Sequence, residues 1–177
     1  RRSSDLLSLQ SFDSEFDKYV RNEIDEIDQK VIDGFNLFMG KASCGTCHFA
    51  PLFSGLMPPY YAKNESEILG VLTAPNEEEL DADNGRQSNG LTFEKVWIYE
   101  RSFKTPTIRN IAETAPYFHN GAYPDLESVV DFYDHGGGAG LDLEVNNQTL
   151  PPDALQLSDY EKQALIAFMK ALSDNNH

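Results

Sequence analysis

The chain of 177 residues is poor in cysteine, in basic residues and in long apolar runs. With only two cysteines and no second Cys/His pair at ligand spacing, a structural zinc site is disfavoured. No apolar run approaches the roughly 20 residues that cross a bilayer, so we predict no membrane span. Lys and Arg number 14 against 29 Asp and Glu, which gives a formal net charge of −15. This charge excludes nucleic acid as a natural partner, and it either favours a basic partner in a salt-dependent way or only maintains solubility.

Both cysteines belong to the pentapeptide Cys44-Gly45-Thr46-Cys47-His48, a C-x-x-C-H motif. Two thiols at this spacing can add to the two vinyl groups of a haem, and the histidine that follows can bind the iron from one face. A redox C-x-x-C would lie between a strand and a helix, which the flanking residues do not predict. We therefore predict one covalent haem c, with His48 as the proximal ligand. The motif also predicts a periplasmic or extracytoplasmic location, because bacteria attach haem c outside the inner membrane. The chain opens without Met or a signal peptide, so we expect a processed or trimmed product.

Apolar periodicity predicts helices on both sides of this motif. A first amphipathic helix is predicted from about residue 6 to residue 20. A second runs into the motif, with Gly40 as its C-cap and with these apolar positions at steps of three and four: Ile24, Ile27, Val31, Phe35 and Phe38. A short turn is predicted at residues 107–111 and a helix at 125–134, ended by the glycines 136–138. Ser158 and Glu161 form a capping box that starts the last helix, which we expect to pack across the second.

Between residues 49 and 104 prolines and polar residues interrupt every period, which predicts a long irregular segment around the haem. The acidic stretch 81–85 resembles a calcium loop only superficially, and we predict a solvated turn there. The predicted fold is all-α, a cytochrome c-like haem domain with a long irregular insertion. We divide the single domain, 1–177, into a leading helix (1–22), the N-terminal cytochrome helix with the attachment motif (23–48), haem-wrapping loops and short helices (49–157) and the C-terminal helix (158–174).

Longer segments carry a resemblance to a known family. They are G-F-N-L-F at 34–38 leading into the motif and A-P-L-F at 50–53, F-K-T-P-T-I-R-N at 103–110, T-A-P-Y-F-H-N-G at 114–121, and L-E-S-V-V-D-F-Y at 126–133. Together they resemble the C-terminal half of bacterial di-haem cytochrome c peroxidases and their MauG-like relatives. The resemblance covers nearly the whole chain. It implies that this domain accepts electrons from a small redox donor protein and passes them to a second haem domain, in the same or a separate chain, that reacts with peroxide. It also implies a homodimer.

The resemblance implies further ligands. In the peroxidases a methionine near the end of the helix after T-A-P-Y binds the iron, and in MauG-like proteins a tyrosine does so; Tyr133 occupies that position. From its place in a loop after the motif, Met57 is the alternative, and His119 and His135 stay open. Arg109 is expected to bind a haem propionate, since arginine suits carboxylates, or to form a surface salt bridge. Thr114 and Pro116 match positions whose carbonyls bind a calcium ion between the two haem domains.

Three functions remain open at this stage. The first is the electron-transfer haem domain of a di-haem peroxidase-like protein. The second is a stand-alone monohaem cytochrome that carries electrons without catalysis. The third is a MauG-like oxidase that acts on a protein substrate, which Tyr133 favours.

Overall fold

The computed structural model describes residues 11–88, 90 and 94–174. The helices are α1 (Glu15–Val20), α2 (Gln29–Met39), α3 (Leu126–Asp134), α4 (Gly137–Gly140) and α5 (Asp159–Lys170). Single 3-10 turns occupy Cys44–Thr46, Arg86–Ser88, Val96–Tyr99 and Ile111–Glu113. Strands β1 (Ser66–Ile68) and β2 (Ser102–Lys104) pair antiparallel, with Glu67 opposite Phe103. The all-α prediction is confirmed, with this small sheet as an addition. None of the described helices is both long and apolar enough to cross a membrane.

Helices α2 and α5 cross so closely that only glycine fits at the crossing point. A Cβ atom on Gly34 would lie 1.9 Å from the carbonyl oxygen of Ala164. Around the crossing, the rings of Phe16 and Phe38 pack edge-on against Phe168, with centroids 5.0 and 5.2 Å away. Phe168 is completely buried. The predicted packing of the last helix against the second is therefore confirmed, and apolar burial at this crossing stabilises the domain.

Capping side chains determine where α1 and α2 begin, and both helices begin later in the chain than apolar periodicity predicts. The Ser14 hydroxyl accepts from the Asp17 N–H while the Asp17 carboxylate accepts from the Ser14 N–H, so α1 begins at Glu15. Residues 11–14 are not helical, contrary to prediction, and residues 6–10 lie outside the described part of the chain. Asp28 caps α2, so the predicted positions Ile24 and Ile27 precede that helix. A side chain that bonds the first free N–H groups fixes a helix start more strongly than apolar spacing does.

The other predicted helix ends are mostly confirmed. Gly40 is the C-cap of α2, and Ser158 with Glu161 forms the capping box of α5. Helix α3 ends at the C-cap His135, and the glycines then form the extra turn α4 rather than a simple stop. The turn predicted at 107–111 occurs later, at Ile111–Glu113.

The segment from residue 49 to residue 104 is largely irregular, as predicted, yet its apolar residues are buried. Phe53 and Leu72 are 3% and 1% exposed. The backbone N–H of Ile68 donates to the Thr149 hydroxyl over 2.9 Å, which ties this segment to a distant loop. A turn is predicted at residues 81–85, and there the Asp81 and Asp83 carboxylates accept from the backbone N–H groups of Asp83 and Gly85.

Candidate haem site

A cavity of about 760 Å³ lies beside the C-x-x-C-H motif. Its volume falls within the range of roughly 300–1,000 Å³ that is usual for cofactor and ligand pockets. The cavity joins the motif to α3, α5 and the irregular segment. Most of its walls are apolar, and they include Phe38, Leu69, Val71, Ile108, Val129, Val130, Leu157 and Leu165. A largely apolar cavity of this size fits a macrocycle such as haem.

A tight turn presents the motif to this cavity. Helix α2 ends at Gly40, and Ser43 adopts a left-handed backbone with φ 54°. The 3-10 turn follows, and the N–H of His48 donates to the Cys44 carbonyl over 2.9 Å. As a result Cys44, Cys47 and His48 all line the same cavity.

The imidazole of His48 is held in the form that binds a metal. Its Nδ1 lies 3.2 Å from the Phe53 carbonyl oxygen. Because a carbonyl only accepts hydrogen bonds, Nδ1 carries the proton and Nε2 keeps a free lone pair. Burial lowers the pKa of His48, although the carbonyls of Phe53 and Pro106 oppose that shift, so the ring is neutral. Metal-binding histidines usually donate their other N–H to such a carbonyl, which fixes the ring.

The two cysteine thiols are free. Burial raises the pKa of Cys44 to about 12. Burial also raises the pKa of Cys47 to about 11, and the nearby Glu67 carboxylate adds to the shift. Both thiols line the apolar cavity at the C-x-x-C spacing that covalent haem attachment requires. The donor set and its surroundings therefore fit covalent haem c.

Tyr133 lines this cavity together with His48, although the two residues are far apart in the sequence. Its ring packs against Phe118 and Phe132, with centroids 6.2 and 5.8 Å away. Burial raises its pKa, and the cysteine sulfurs add to the shift. The phenol therefore faces the cavity as a neutral group.

The other candidates for a distal ligand divide clearly. Met57 is not among the described residues that line the cavity, so the structure does not favour it, and its role as the alternative ligand stays a prediction. His135 is exposed beyond the end of α3 and does not line the described cavity either. His119 does line it, stacked on the Phe103 ring at 3.6 Å. Met169 is buried and also lines the cavity.

Arg109 requires a correction. Its guanidinium donates to both carboxylate oxygens of Asp17, over 2.8 and 2.9 Å, and to the Pro51 carbonyl over 3.0 and 2.7 Å. The Arg109 side chain is 5% exposed and is not among the described residues that line the cavity. The expected contact with a haem propionate is therefore wrong. The salt bridge alternative is right in kind, but the bridge is buried rather than on the surface.

Thr114 and Pro116 both line the cavity. The Thr114 hydroxyl donates to the Ile111 carbonyl over 3.0 Å. Their role as calcium-binding carbonyls stays a prediction.

Sequence reasoning missed the charged residues of the cavity. Glu67, Asp81 and Asp83 contribute carboxylates, whereas Arg101 and Lys104 contribute positive charge. Lys104 belongs to the F-K-T-P-T-I-R-N segment that carries the family resemblance, but the sequence alone does not indicate that it lines the cavity.

Comparison with known proteins gives consistent relatives. No protein-family model matches the chain. It is 34% identical over 173 residues to the cytochrome-c peroxidase IdrP1 of Pseudomonas sp. (strain SCT), covering 89% of this chain and 44% of that protein. It is 32% identical over 180 residues to the cytochrome-c peroxidase IdrP2 of Denitromonas iodatirespirans, covering 94% of this chain and 46% of that protein. The chain thus spans less than half the length of these relatives.

The fold has matching solved structures. A MauG-like protein associated with microbial copper homeostasis superposes with a TM-score of 0.72 at 25% identity, over 93% of this chain and 53% of that one. The di-haem peroxidase BthA from Burkholderia thailandensis E264 superposes with a TM-score of 0.69 at 18% identity, over 95% and 48%. The second match supports the fold alone. By its sequence relatives, its fold and its C-x-x-C-H cavity, the chain belongs to the bacterial di-haem cytochrome c peroxidase and MauG-like family.

Proposed function

We propose that this chain is the covalent haem c electron-transfer domain of a di-haem cytochrome c peroxidase-like protein, which passes electrons to a peroxide-reducing haem outside these residues. The observation that carries the proposal is the single cavity that brings Cys44, Cys47, His48 and Tyr133 together. When bound, the haem supplies a one-electron ferric/ferrous couple.

Each residue then has a defined role. The thiols of Cys44 and Cys47 would hold the haem through two thioether bonds, and Nε2 of His48 would bind the iron while the Phe53 carbonyl holds its ring. Tyr133 is our proposed distal ligand. A phenolate would favour ferric iron and lower the potential, whereas a methionine would raise it. The identity of this ligand therefore decides which donors can reduce the domain.

The proposed partners follow from the family and the charge. We propose a small redox donor protein as the source of electrons, and a second haem domain, in the same or a separate chain, as the acceptor. With a formal net charge of −15, the chain would attract a basic donor face more strongly at low salt. A periplasmic location, a homodimer and a calcium ion bound by the Thr114 and Pro116 carbonyls belong to the same proposal.

A MauG-like oxidase is the second candidate function. Tyr133 favours this function, because the family resemblance implies a tyrosine ligand in MauG-like proteins and a methionine ligand in the peroxidases. The stand-alone carrier has no comparable support, and a second C-x-x-C-H in the same coding region would exclude it.

The first test is the ferric absorption spectrum, from the Soret band into the near infrared, before and after peroxide. We expect no methionine–iron charge-transfer band and no response to peroxide. Tyr133→Phe should change the spectrum towards high spin. Tyr117→Phe is the matched control, because Tyr117 also lines the cavity but its hydroxyl donates to the Ile111 carbonyl over 3.0 Å.

Other outcomes contradict parts of the proposal. A methionine band that disappears in Met169→Leu would replace Tyr133 by Met169 and favour a simple carrier. A high-spin wild-type spectrum that shifts promptly with peroxide would make this domain a peroxidase in its own right.

A further inference from the structure

We propose that Arg101 and Lys104 bind the propionate carboxylates of the haem. The inference rests on the proposed haem c site and deepens it. It assigns the role that Arg109 cannot fill while its guanidinium is bonded to Asp17 and Pro51.

The charge of the cavity walls points to these two residues. Carboxylates placed in a mostly apolar cavity need donors or counter-charges, because burying them unpaired is costly. Among the described residues that line the cavity, Arg101 and Lys104 are the two with permanent positive charge. The remaining charged lining residues are Glu67, Asp81 and Asp83, which would repel a propionate.

Arg101 is fixed in place with part of its guanidinium uncommitted. Its Nε donates to the Asp81 carbonyl and one Nη donates to Glu100, both over 3.2 Å. The other Nη has no hydrogen-bond partner among the described residues. The backbone is left-handed, with φ 55°, and its N–H donates to the Asn84 carbonyl over 3.1 Å. A guanidinium anchored on one side and open on the other is suited to a carboxylate.

Lys104 is a cation without a protein counter-ion in the described part of the chain. It ends β2, opposite Ser66, and none of the salt bridges among the described residues includes it. None of the acidic residues in the described part of the chain forms a salt bridge with this ammonium, which lies beside the cavity and is therefore available to an anion from a ligand.

Asp81 bonds Arg101 through its backbone carbonyl, and its carboxylate has other partners. The Asp81 side chain accepts from Asn120 and lies 3.2 Å from Nε2 of His119. Its backbone carbonyl, not its carboxylate, is what Arg101 contacts. Asp81 therefore orients Arg101 without neutralising it.

The test uses the holoprotein with Lys104→Gln, Arg101→Gln and the conservative Lys104→Arg. Lys63→Gln is the matched control, because Lys63 is exposed and lies outside the lining of the described cavity. Haem content is measured first, then the midpoint potential, and then the propionate bending bands in resonance Raman spectra. Lys104 is exposed, so its variants should fold.

We expect Lys104→Gln and Arg101→Gln to shift the propionate bands and to favour ferric iron. The oxidised-to-reduced ratio at a fixed potential should rise roughly three- to tenfold for loss of a nearby charge, where tenfold corresponds to about 59 mV for one electron. Lys104→Arg should retain the wild-type values, and Lys63→Gln should leave the bands unchanged.

Two results would overturn the inference. The first is that Lys104→Gln and Arg101→Gln both keep the wild-type propionate bands. The second is that the control Lys63→Gln shifts the midpoint potential as much as they do. A wild-type protein that binds no haem would refute the proposed function itself, and the haem content reveals that case before any variant is compared.

Discussion

Gly34→Ala is the sharpest test of how the two long helices are packed. The added Cβ would lie 1.9 Å from the Ala164 carbonyl oxygen and 2.8 Å from the Phe168 Cβ, whereas real Cβ atoms essentially never approach within 3.0 Å of another heavy atom. No rotamer change can move a Cβ, so α2 and α5 must separate by about 1 Å. A gap of 0.5–1 Å forfeits about a quarter to a half of the dispersion attraction between facing atoms.

The expected free energy follows from two opposing effects. Overpacking costs about 1–3 kcal/mol, and a clash with backbone belongs at the upper end or above it. Replacing glycine by alanine within a helix returns about 1 kcal/mol. We therefore expect a net loss of at least about 2 kcal/mol in the free energy of unfolding. The visible spectrum should change too, because Phe38 of α2 and Leu165 of α5 both line the cavity.

Urea unfolding of the holoprotein, followed by circular dichroism, measures this loss. The matched control is Asn36→Ala, an exposed position on the same helix, which should be neutral or slightly stabilising because alanine is the better helix former. If Gly34→Ala matched Asn36→Ala in stability, the close crossing of α2 and α5 would be wrong.

Three further perturbations test the other contacts. Asp17→Asn should lower stability by about 3–5 kcal/mol, because it leaves Arg109 buried without its partner. Burial alone would raise the pKa of Asp17, but its bonds to Arg109 and Ser14 and the Arg109 charge outweigh that effect and lower the pKa below its usual value. The wild type should therefore lose this stabilisation as the pH falls below about 4 in urea unfolding, and Asp17→Asn should not. Ser158→Ala should cost about 1 kcal/mol through the lost N-cap of α5, measured in the same way. The double variant of Cys44 and Cys47 to serine should retain no haem on a denaturing gel stained for haem.

Helices next to the attachment motif could be predicted because apolar spacing and end signals agreed there. Gly40 ends α2, and Ser158 with Glu161 starts α5, as the sequence indicates. The start of α2 could not be predicted in this way, because Ile24 and Ile27 continue the apolar period although the helix begins only after the cap at Asp28. Periodicity identifies the face that will be buried, whereas a capping side chain decides where the helix begins.

The cavity could be predicted only in part. The C-x-x-C-H motif is local in sequence, so Cys44, Cys47 and His48 were evident without a structure. Leu69 and Val71 line the cavity from an irregular segment. Their placement depends on long-range bonds such as the one between Ile68 and Thr149, which no local pattern encodes.

Arg109 does not line the cavity, but it acts on the site indirectly by supporting the loop beside His48. Its guanidinium bonds Asp17 and the Pro51 carbonyl, which joins α1 to the loop that follows the motif. Within that loop the Phe53 carbonyl accepts from the Ile108 N–H over 3.0 Å and lies 3.2 Å from Nδ1 of His48. The buried ion pair thus supports the carbonyl that orients the proximal imidazole. In the Tyr133→Phe background, where the ferrous iron would lack its proposed distal ligand, Asp17→Asn should therefore also shift the iron–histidine stretching band, whereas Lys104→Gln, which acts at the propionates, should leave that band in place.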